Sequence, residues 1–310
     1  TTILMRAFKE VRPHVILTVP LLIEKIYKAA VVPTLRDNPK ISKLYKNPLT
    51  KWIVLKTVKA KLISTMGGCM KFFGIGGAPL DSTVWDFLYS CHFPYALGYG
   101  LTETSPLIAG CGPKHKMHKK GYIGKPVKHD DVILLDKNEE GVGEIAVKGP
   151  NVMTGYYNNE ELNKEVFTPE GYFKTGDLGY IDKHGYLSIR GRVKTMILGP
   201  AGENIYPESI ERIINNMEFV QESLVVPGDG GLVALIKVDL EAMQEKLKIS
   251  AEEVKNEAEK YLVKLKKTVN EQLSSFSKIS DTELQERDFE RTPTQKIKRF
   301  LYSKKKKEDK

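Results

Sequence analysis

Cysteine is scarce: three residues in 310, Cys69, Cys91 and Cys111, with no Cys-x-x-Cys pair, give neither a disulfide framework nor a zinc-ligand spacing. That scarcity fits a reducing compartment, so a cytoplasmic protein is expected. Long apolar runs are absent too. None approaches the ~20 residues that cross a bilayer, and the opening TTILMRAFKE lacks the charged, apolar and small-residue order of a signal peptide. The body also lacks an excess of charge. The formal net charge is +9, but the last twenty residues hold nine Lys or Arg against Glu308 and Asp309, leaving +2 on residues 1–290. With no basic face and no aromatics interleaved with one, nucleic acid is not an expected partner. Lys304 to Lys307 form a solvated tail, for which peripheral contact with anionic lipid at the inner face of a membrane is the one partner to keep in view.

What is present is more specific. A 41% hydrophobic content over this length can bury one large core or two smaller ones. The most informative stretch is Gly171 to Glu211, GYFKTGDLGYIDKHGYLSIRGRVKTMILGPAGENIYPESIE. Asp177 follows Gly176, a residue free to take positive φ and bring backbone close to a ligand, so its carboxylate is placed to accept both hydroxyls of a ribose. Tyr180 to Asp182 and Tyr186 to Ile189 alternate as two strands around a tight turn at Asp182-Lys183-His184-Gly185. Arg192 and Lys194 come next, then a loop with Gly199, Pro200 and Gly202. A helix is predicted from Pro207, with Ile210, Ile213, Ile214 and Met217 on one face. Taken singly, these are a hairpin, a loop and an ordinary helix; their order is what carries information.

Upstream, Val15 to Val19 reads as a buried strand and Pro20 to Ala29 as a helix with Leu21, Leu22 and Ile26 inward. Residues 35–66 are basic and helical in character, with Trp52, Val54, Leu55, Val58 and Leu62 as the apolar set. Gly74-Ile75-Gly76-Gly77-Ala78-Pro79 fits a dinucleotide fingerprint poorly, because Pro79 stands where the third glycine belongs. It reads as a strand-to-helix turn before a helix over Asp81 to Ser90. Tyr99 offers a flat face for a purine, Thr102 a hydroxyl for a phosphate oxygen, and Glu103 a hard oxygen suited to Mg²⁺; the bland alternative is a helix start capped by Thr102 or Thr104.

Residues 110–190 are rich in glycine and short strands, including Val132 to Leu135 and Gly143 to Lys148. After Arg192 the pattern becomes α+β, with strands Ser223 to Val226 and Leu232 to Asp239. A helix follows from Ser250, whose capping box with Glu253 precedes a stripe of Val254, Ala258, Leu262, Leu265, Val269 and Leu273.

Four ordered stretches carry a family resemblance: Gly76-Gly77-Ala78-Pro79-Leu80, Tyr99-Gly100-Leu101-Thr102-Glu103, the Gly171 to Glu211 segment, and Thr292-Pro293-Thr294-Gln295-Lys296-Ile297-Lys298-Arg299. Together they resemble the core motifs of the AMP-forming adenylating enzymes, the superfamily of acyl-CoA synthetases, luciferases and peptide-synthetase adenylation domains. The match covers nearly the whole chain. It implies an α/β fold class. Residues 1–193 would be the remainder of a large adenylating domain in mixed α/β layers, with a small β-barrel-like subdomain at about 110–190. Residues 194–310 would be a mobile α+β lid that ends in the basic tail 303–310.

The same resemblance implies ATP and AMP, Mg²⁺ and coenzyme A, with a fatty acid as the acid substrate. Gly76, Gly77, Ala78 and Pro79 would leave room for adenine, with Tyr99 and Gly100 beside it. Thr102 would meet a phosphate oxygen, Glu103 would ligate Mg²⁺, and Asp177 and Arg192 would hold the ribose. Lys194 would be the hinge, Gly202 would line the pantetheine passage, and Lys296 would reach the α-phosphate. Gln295 departs from the glycine usual before that lysine, which leaves Lys298 as an alternative register. The run Gly143 to Asn158 is assigned to scaffolding.

The VPLLIEKIYK, GGAPL and TPTQKIKR wording looks most like a long-chain fatty acid–CoA ligase, with a medium-chain or aryl acid ligase as the alternative. The family's Ser/Thr/Gly-rich loop for the β- and γ-phosphates has no counterpart here and would precede Thr1. The chain therefore reads as the carboxyl-terminal portion of a longer enzyme, adenylating poorly or not at all alone. Two rivals remain: a nucleotide-binding module without catalysis, and a membrane-docking piece led by the lysine tail.

Overall fold

The computed structural model describes residues 2–199, 202–250, 252–292 and 297–302, which divide into two compact units, Thr1–Ile189 and Arg190–Lys310. In the first unit the order begins α1 (Thr2–Val11), β1 (Val15–Thr18), α2 (Pro20–Ile26), α3 (Val32–Arg36), α4 (Pro39–Lys46), α5 (Pro48–Thr65), β2 (Phe72–Ile75) and α6 (Ser82–Ser90). It continues with β3 (Tyr95–Gly100), β4 (Leu107–Gly110), β5 (Lys125–Pro126), β6 (Asp131–Leu135), β7 (Gly143–Lys148), α7 (Glu160–Val166), β8 (Phe173–Ile181) and β9 (Leu187–Arg192), the last of which runs into the second unit.

Strands β1, β2 and β3 are parallel, in register Ile16 with Phe73 and Ile75 with Leu97, and β4 and β5 extend the sheet antiparallel. Parallel neighbours need long crossovers, and α2 to α5 and α6 supply them. Their apolar faces meet the sheet over Phe73, Tyr95 and Phe93, all nearly inaccessible, with Phe73 and Phe93 edge to face at 5.8 Å.

Burial corrects three expectations. Strand β1 is an edge, so only Ile16 is buried while Val15 and Leu17 face outward. In α2 the buried positions are Pro20, Ile23 and Ile26, three apart, which puts Leu21 on the opposite, exposed side. Trp52 is exposed because Val54, Leu55, Val58 and Leu62 make the buried stripe of α5 and Trp52 lies off it.

Strands β6 to β9 form an antiparallel sheet in sequential order. The barrel-like expectation is corrected here: β6 and β9 are the two edges of an open sheet. One tie to the first sheet is a bridge in which Ile123 N–H donates to the Leu187 carbonyl and Leu187 N–H to the Gly124 carbonyl, at 2.8 and 2.7 Å. Gly124 (φ +148°) is required there, since a Cβ would lie 2.0 Å from the Gly110 backbone.

The predicted turn after β8 is present. Gly185 N–H donates to the Asp182 carbonyl at 2.9 Å, and Asp182 Oδ1 accepts from the His184 and Tyr186 N–H groups, both at 2.8 Å. Lys119 pairs with the other carboxylate oxygen. Burial alone would raise the Asp182 pKa, but Lys119 and the two backbone donors outweigh it and hold the group down at about 2. Because this folded value lies below the unfolded one of about 3.9, the stabilisation is complete above pH ~4 and is lost as pH falls towards 2. Asp182→Asn is therefore expected to lower the urea midpoint at pH 6, and the gap to the parent should close by pH 2. Both tryptophans, Trp52 and Trp85, lie in this unit, so their fluorescence reads it. A gap that stays constant across that range would refute the assignment.

The second unit contains β10 (Ile197–Leu198), β11 (Asn204–Ile205), α8 (Pro207–Asn215), β12 (Val220–Gly228), β13 (Gly231–Val238), α9 (Leu240–Leu247), α10 (Glu253–Asn270) and β14 (Ile279–Leu284). Strands β12 and β13 are an antiparallel hairpin, and β14 joins β13 in parallel after the α9–α10 crossover. The predicted stripe of α10 is core, with Val254, Ala258, Leu262, Leu265 and Val269 buried beside Ile210 and Ile214 of α8. Ser250 and Glu253 make the expected reciprocal cap: Glu253 Oε2 accepts from Ser250 N–H at 3.1 Å, and Ser250 Oγ accepts from Glu253 N–H at 3.3 Å.

Candidate active site

Strands β1 and β2 end side by side at Thr18 and Ile75 while β3 runs on past Leu97 to Gly100, and the sequence places its glycine turn at that edge. Gly76 N–H donates to the Thr18 carbonyl at 3.1 Å, tying the end of β2 to the end of β1. A Cβ at Gly76 would come within 3.2 Å of the Gly98 carbonyl on β3, and Gly77 takes φ +83°. Gly77, Ala78 and Pro79 are exposed, whereas Leu80 returns to the core. Asp81 then caps α6, its Oδ1 accepting from Thr83 and Val84 N–H at 2.8 and 3.0 Å, while its own N–H donates to Glu24 Oε1 at 2.9 Å. The turn is thus pinned at both ends and open between them. The carboxyl edge of an open α/β sheet is where such folds accept ligands.

Strand β3 brings Tyr99 to the same edge. Its hydroxyl donates to Asp177 Oδ2 at 2.9 Å, so the candidate purine platform and the candidate ribose ligand, on different sheets, are joined directly. Asp177 is only 4% exposed, and a carboxylate that buried needs donors. Its backbone is set by Thr175, whose Oγ accepts from Asp177 N–H at 3.1 Å and donates to the Ile145 carbonyl at 2.8 Å, and by Gly176 at φ +71°. Gly100 has a structural reason to be glycine, since a Cβ would lie 1.7 Å from the Pro106 carbonyl oxygen.

Thr102 and Glu103 sit on a single 3₁₀ turn, Thr102–Thr104. Thr102 is exposed; Thr104 is fully buried and holds the turn, accepting from Leu101 N–H at 3.0 Å with its hydroxyl 2.9 Å from the Pro106 carbonyl. Glu103 is half-buried, and Oε1 accepts from the Tyr156 hydroxyl at 2.9 Å. Sequence reasoning missed Tyr156. It lies 53 residues away in the run taken as scaffolding, and nothing in a local pattern links the two. Among the described residues no group of three or more His, Cys, Asp or Glu can hold a metal. A lone carboxylate on an open turn instead fits Mg²⁺ arriving with a phosphate, an ion that keeps waters and asks for few protein ligands.

In the second unit, Arg192 ends β9 and Lys194 lies in the 3₁₀ turn Val193–Thr195, both exposed. Thr195 Oγ donates to Glu208 Oε1 at 2.6 Å, fastening that turn to α8. Gly202 (φ +89°) donates to the Gly199 carbonyl at 3.0 Å. Pro200 and Ala201 lie outside the described residues, as do Lys296 with Gln295 before it, and the tail 303–310. The flanks of Lys296 are described: Arg291 and Ile297 bridge, and Lys298 Nζ lies 3.6 Å from Glu290.

Fold and site define an open-sheet α/β protein with a second α+β unit, carrying carboxylates and an aromatic at the carboxyl edge of its parallel strands. The chain belongs to the AMP-binding enzyme family, whose match covers residues 1–157. It is 31% identical over 272 residues to long chain acyl-CoA synthetase 7, peroxisomal, of Arabidopsis thaliana, covering 78% of this chain and 38% of that protein. It is 32% identical over 216 residues to 2-succinylbenzoate–CoA ligase of Listeria innocua, covering 68% and 43%. Among solved structures, o-succinylbenzoate CoA synthetase from Bacillus subtilis in complex with its acyl-adenylate intermediate superposes with a TM-score of 0.63 at 27% identity, over 81% of this chain and 50% of that one. The chain thus spans about two-fifths of these curated relatives and half of the solved one.

Proposed function

We propose that this chain carries the adenylate-binding part of an acid–CoA ligase. The observation that carries the reading is the buried Asp177 carboxylate, hydrogen-bonded to Tyr99 beside the open Gly76–Pro79 turn. In the proposed reaction a substrate carboxylate oxygen bonds to the α-phosphorus of ATP while the bond to the bridging oxygen breaks and pyrophosphate leaves. The thiol sulfur of coenzyme A, losing its proton, then bonds to the acyl carbon, and AMP leaves with the electron pair of the carbon–oxygen bond.

Asp177 and Arg192 hold the ribose, Gly76 to Pro79 and Tyr99 flank the base, and Thr102 meets a phosphate oxygen. Lys296 offsets charge building on the phosphorus before the unit beginning near Lys194 swings and Gly202 lines the thiol's approach. Bound through Glu103, Mg²⁺ would supply charge neutralisation on the phosphates. A long-chain acyl group is the favoured acid, supported by the motif wording and by the Arabidopsis relative. The second reading, an aryl dicarboxylate, is supported by the Listeria relative.

Calorimetric titration with non-hydrolysable acyl-adenylate analogues tests this. Tightest binding of a sixteen-carbon analogue is expected, ahead of acetyl and succinylbenzoyl ones. A preference for the succinylbenzoyl compound would move the substrate to the second reading. No binding by a folded chain would remove the adenylate site itself.

A further inference from the structure

The clasp around Glu103 is more extensive than a carboxylate on an open turn requires. Three hydrogen bonds join residues 151–156 to the 3₁₀ turn: Asn151 Nδ2 to the Thr104 carbonyl at 2.9 Å, Met153 N–H to the Glu103 carbonyl at 2.8 Å, and Tyr156 hydroxyl to Glu103 Oε1 at 2.9 Å. The first two hold main chain; the third reaches the functional atoms. Tyr156 is itself clamped. Its N–H donates to Asn163 Oδ1 at 2.7 Å and its carbonyl accepts from Asn163 Nδ2 at 3.0 Å, so one amide on α7 satisfies both backbone groups. A Cβ at Gly155 (φ +149°) would press on that same amide at 3.0 Å. The next residue, Tyr157, is 92% exposed, so of two adjacent tyrosines only one is turned inward onto the carboxylate.

The chemistry of the donor matters. A glutamate carboxylate is acceptor-only and rotates about three side-chain bonds, so it must be ordered before it can ligate anything. A lysine or arginine donor would order it but would also neutralise it and compete with an incoming cation. A neutral phenol orders it and leaves the negative charge in place, and Oε2 has no hydrogen-bond partner among the described residues. Outer hydrogen bonds of this kind orient metal ligands generally.

We propose that Tyr156, held by Asn163, is a positioning residue that presets the Glu103 carboxylate to receive the divalent cation of a metal–nucleotide complex. This rests on the role given to Glu103 above.

The test compares this chain with its Tyr156→Phe variant, which keeps the ring and removes only the hydroxyl. ATP is titrated in excess Mg²⁺ and in EDTA, AMP is titrated without metal, and thermal midpoints are recorded. The expected result is a drop of about tenfold or more in the gain that Mg²⁺ gives to ATP affinity, with AMP affinity and midpoint unchanged. Asn163→Ala, which retains the hydroxyl but frees its backbone, should lose part of the same gain. If Tyr156→Phe keeps the parent's full Mg²⁺ gain, or lowers midpoint and AMP affinity while keeping that gain, Tyr156 is a structural tie and the proposal falls alone. A parent that binds nucleotide with no Mg²⁺ gain overturns the proposal together with the metal role of Glu103. A folded parent that binds neither ATP nor AMP overturns the adenylate reading itself.

Discussion

Asp177→Ala is expected to weaken binding of an acyl-adenylate analogue by about a hundredfold or more. Hydrogen bonds to a charged group contribute ~1.5–3 kcal/mol each, and a carboxylate that accepts both ribose hydroxyls loses two of them at once. The Tyr99 hydroxyl beside Asp177 already donates to it and, as a single hydroxyl, does not replace a carboxylate that accepts from both ribose hydroxyls. Removal also takes away that hydrogen bond at a 4%-exposed position, so a fold control is needed. Asp177→Asn supplies it: the amide oxygen keeps the Tyr99 bond and the volume, yet presents donors where the ribose hydroxyls need acceptors. Tryptophan-monitored unfolding of Asp177→Asn should stay close to the parent while analogue binding falls at least tenfold. Parent-like calorimetric affinity in Asp177→Ala would dismiss this carboxylate as the ribose ligand.

The largest stability effect is expected in the other unit, at Glu211. This carboxylate, on α8, is buried; it accepts from Arg299 Nη1 at 2.8 Å, from Arg299 Nη2, and from the Val225 N–H of β12 at 2.7 Å. Burial pushes its pKa up, against the pull of Arg299 and the Val225 N–H. For Arg299 burial pulls the other way and Glu211 more than offsets it, so the guanidinium stays charged. Glu211→Ala leaves that cation and a strand N–H without their acceptor, a change that costs ~3–5 kcal/mol at fully buried pairs. Since a quarter of the Arg299 side chain reaches solvent and Glu208 lies 3.7 Å away, about 3 kcal/mol is the expectation here. Neither tryptophan lies in this unit, so hydrogen exchange of the β12 and β13 amides is the suitable measurement. Unchanged protection in Glu211→Ala would show that the pair holds nothing. Through Arg299 this pair ties the described residues 297–302 to α8.

Much of the local structure was legible because it depends on neighbours in sequence. The Asp182 to Gly185 turn, the Pro207 helix, the Ser250–Glu253 cap and the stripe of α10 each follow from residues within a few positions of one another, and each is present. Exposure was less legible. Leu17, Leu21 and Trp52 are apolar and were expected inward, but whether a strand is an edge, and which phase of a helix faces a sheet, depends on partners far along the chain. Strand β14 was not anticipated, since Ile279-Ser280-Asp281-Thr282-Glu283-Leu284 buries only Ile279 fully and shows no alternation. The openness of the β6–β9 sheet belongs to the same class, because closure is a relation between its first and last strands.

The candidate site divides along that line. Residue types and their order, Gly76 to Pro79, Tyr99, Thr102, Glu103, Asp177 and Arg192, were available from the sequence by itself, because turn chemistry and the placement of isolated charges are written locally. Only the tertiary structure decided that Tyr99 reaches Asp177 across 78 residues, that Glu24 grips the end of the glycine turn, and that Tyr156 bonds Glu103. The reason is physical. Each of those contacts joins elements whose sequence separation leaves no periodic trace, and what brings them together is the burial of apolar faces that must be satisfied across the whole first unit at once.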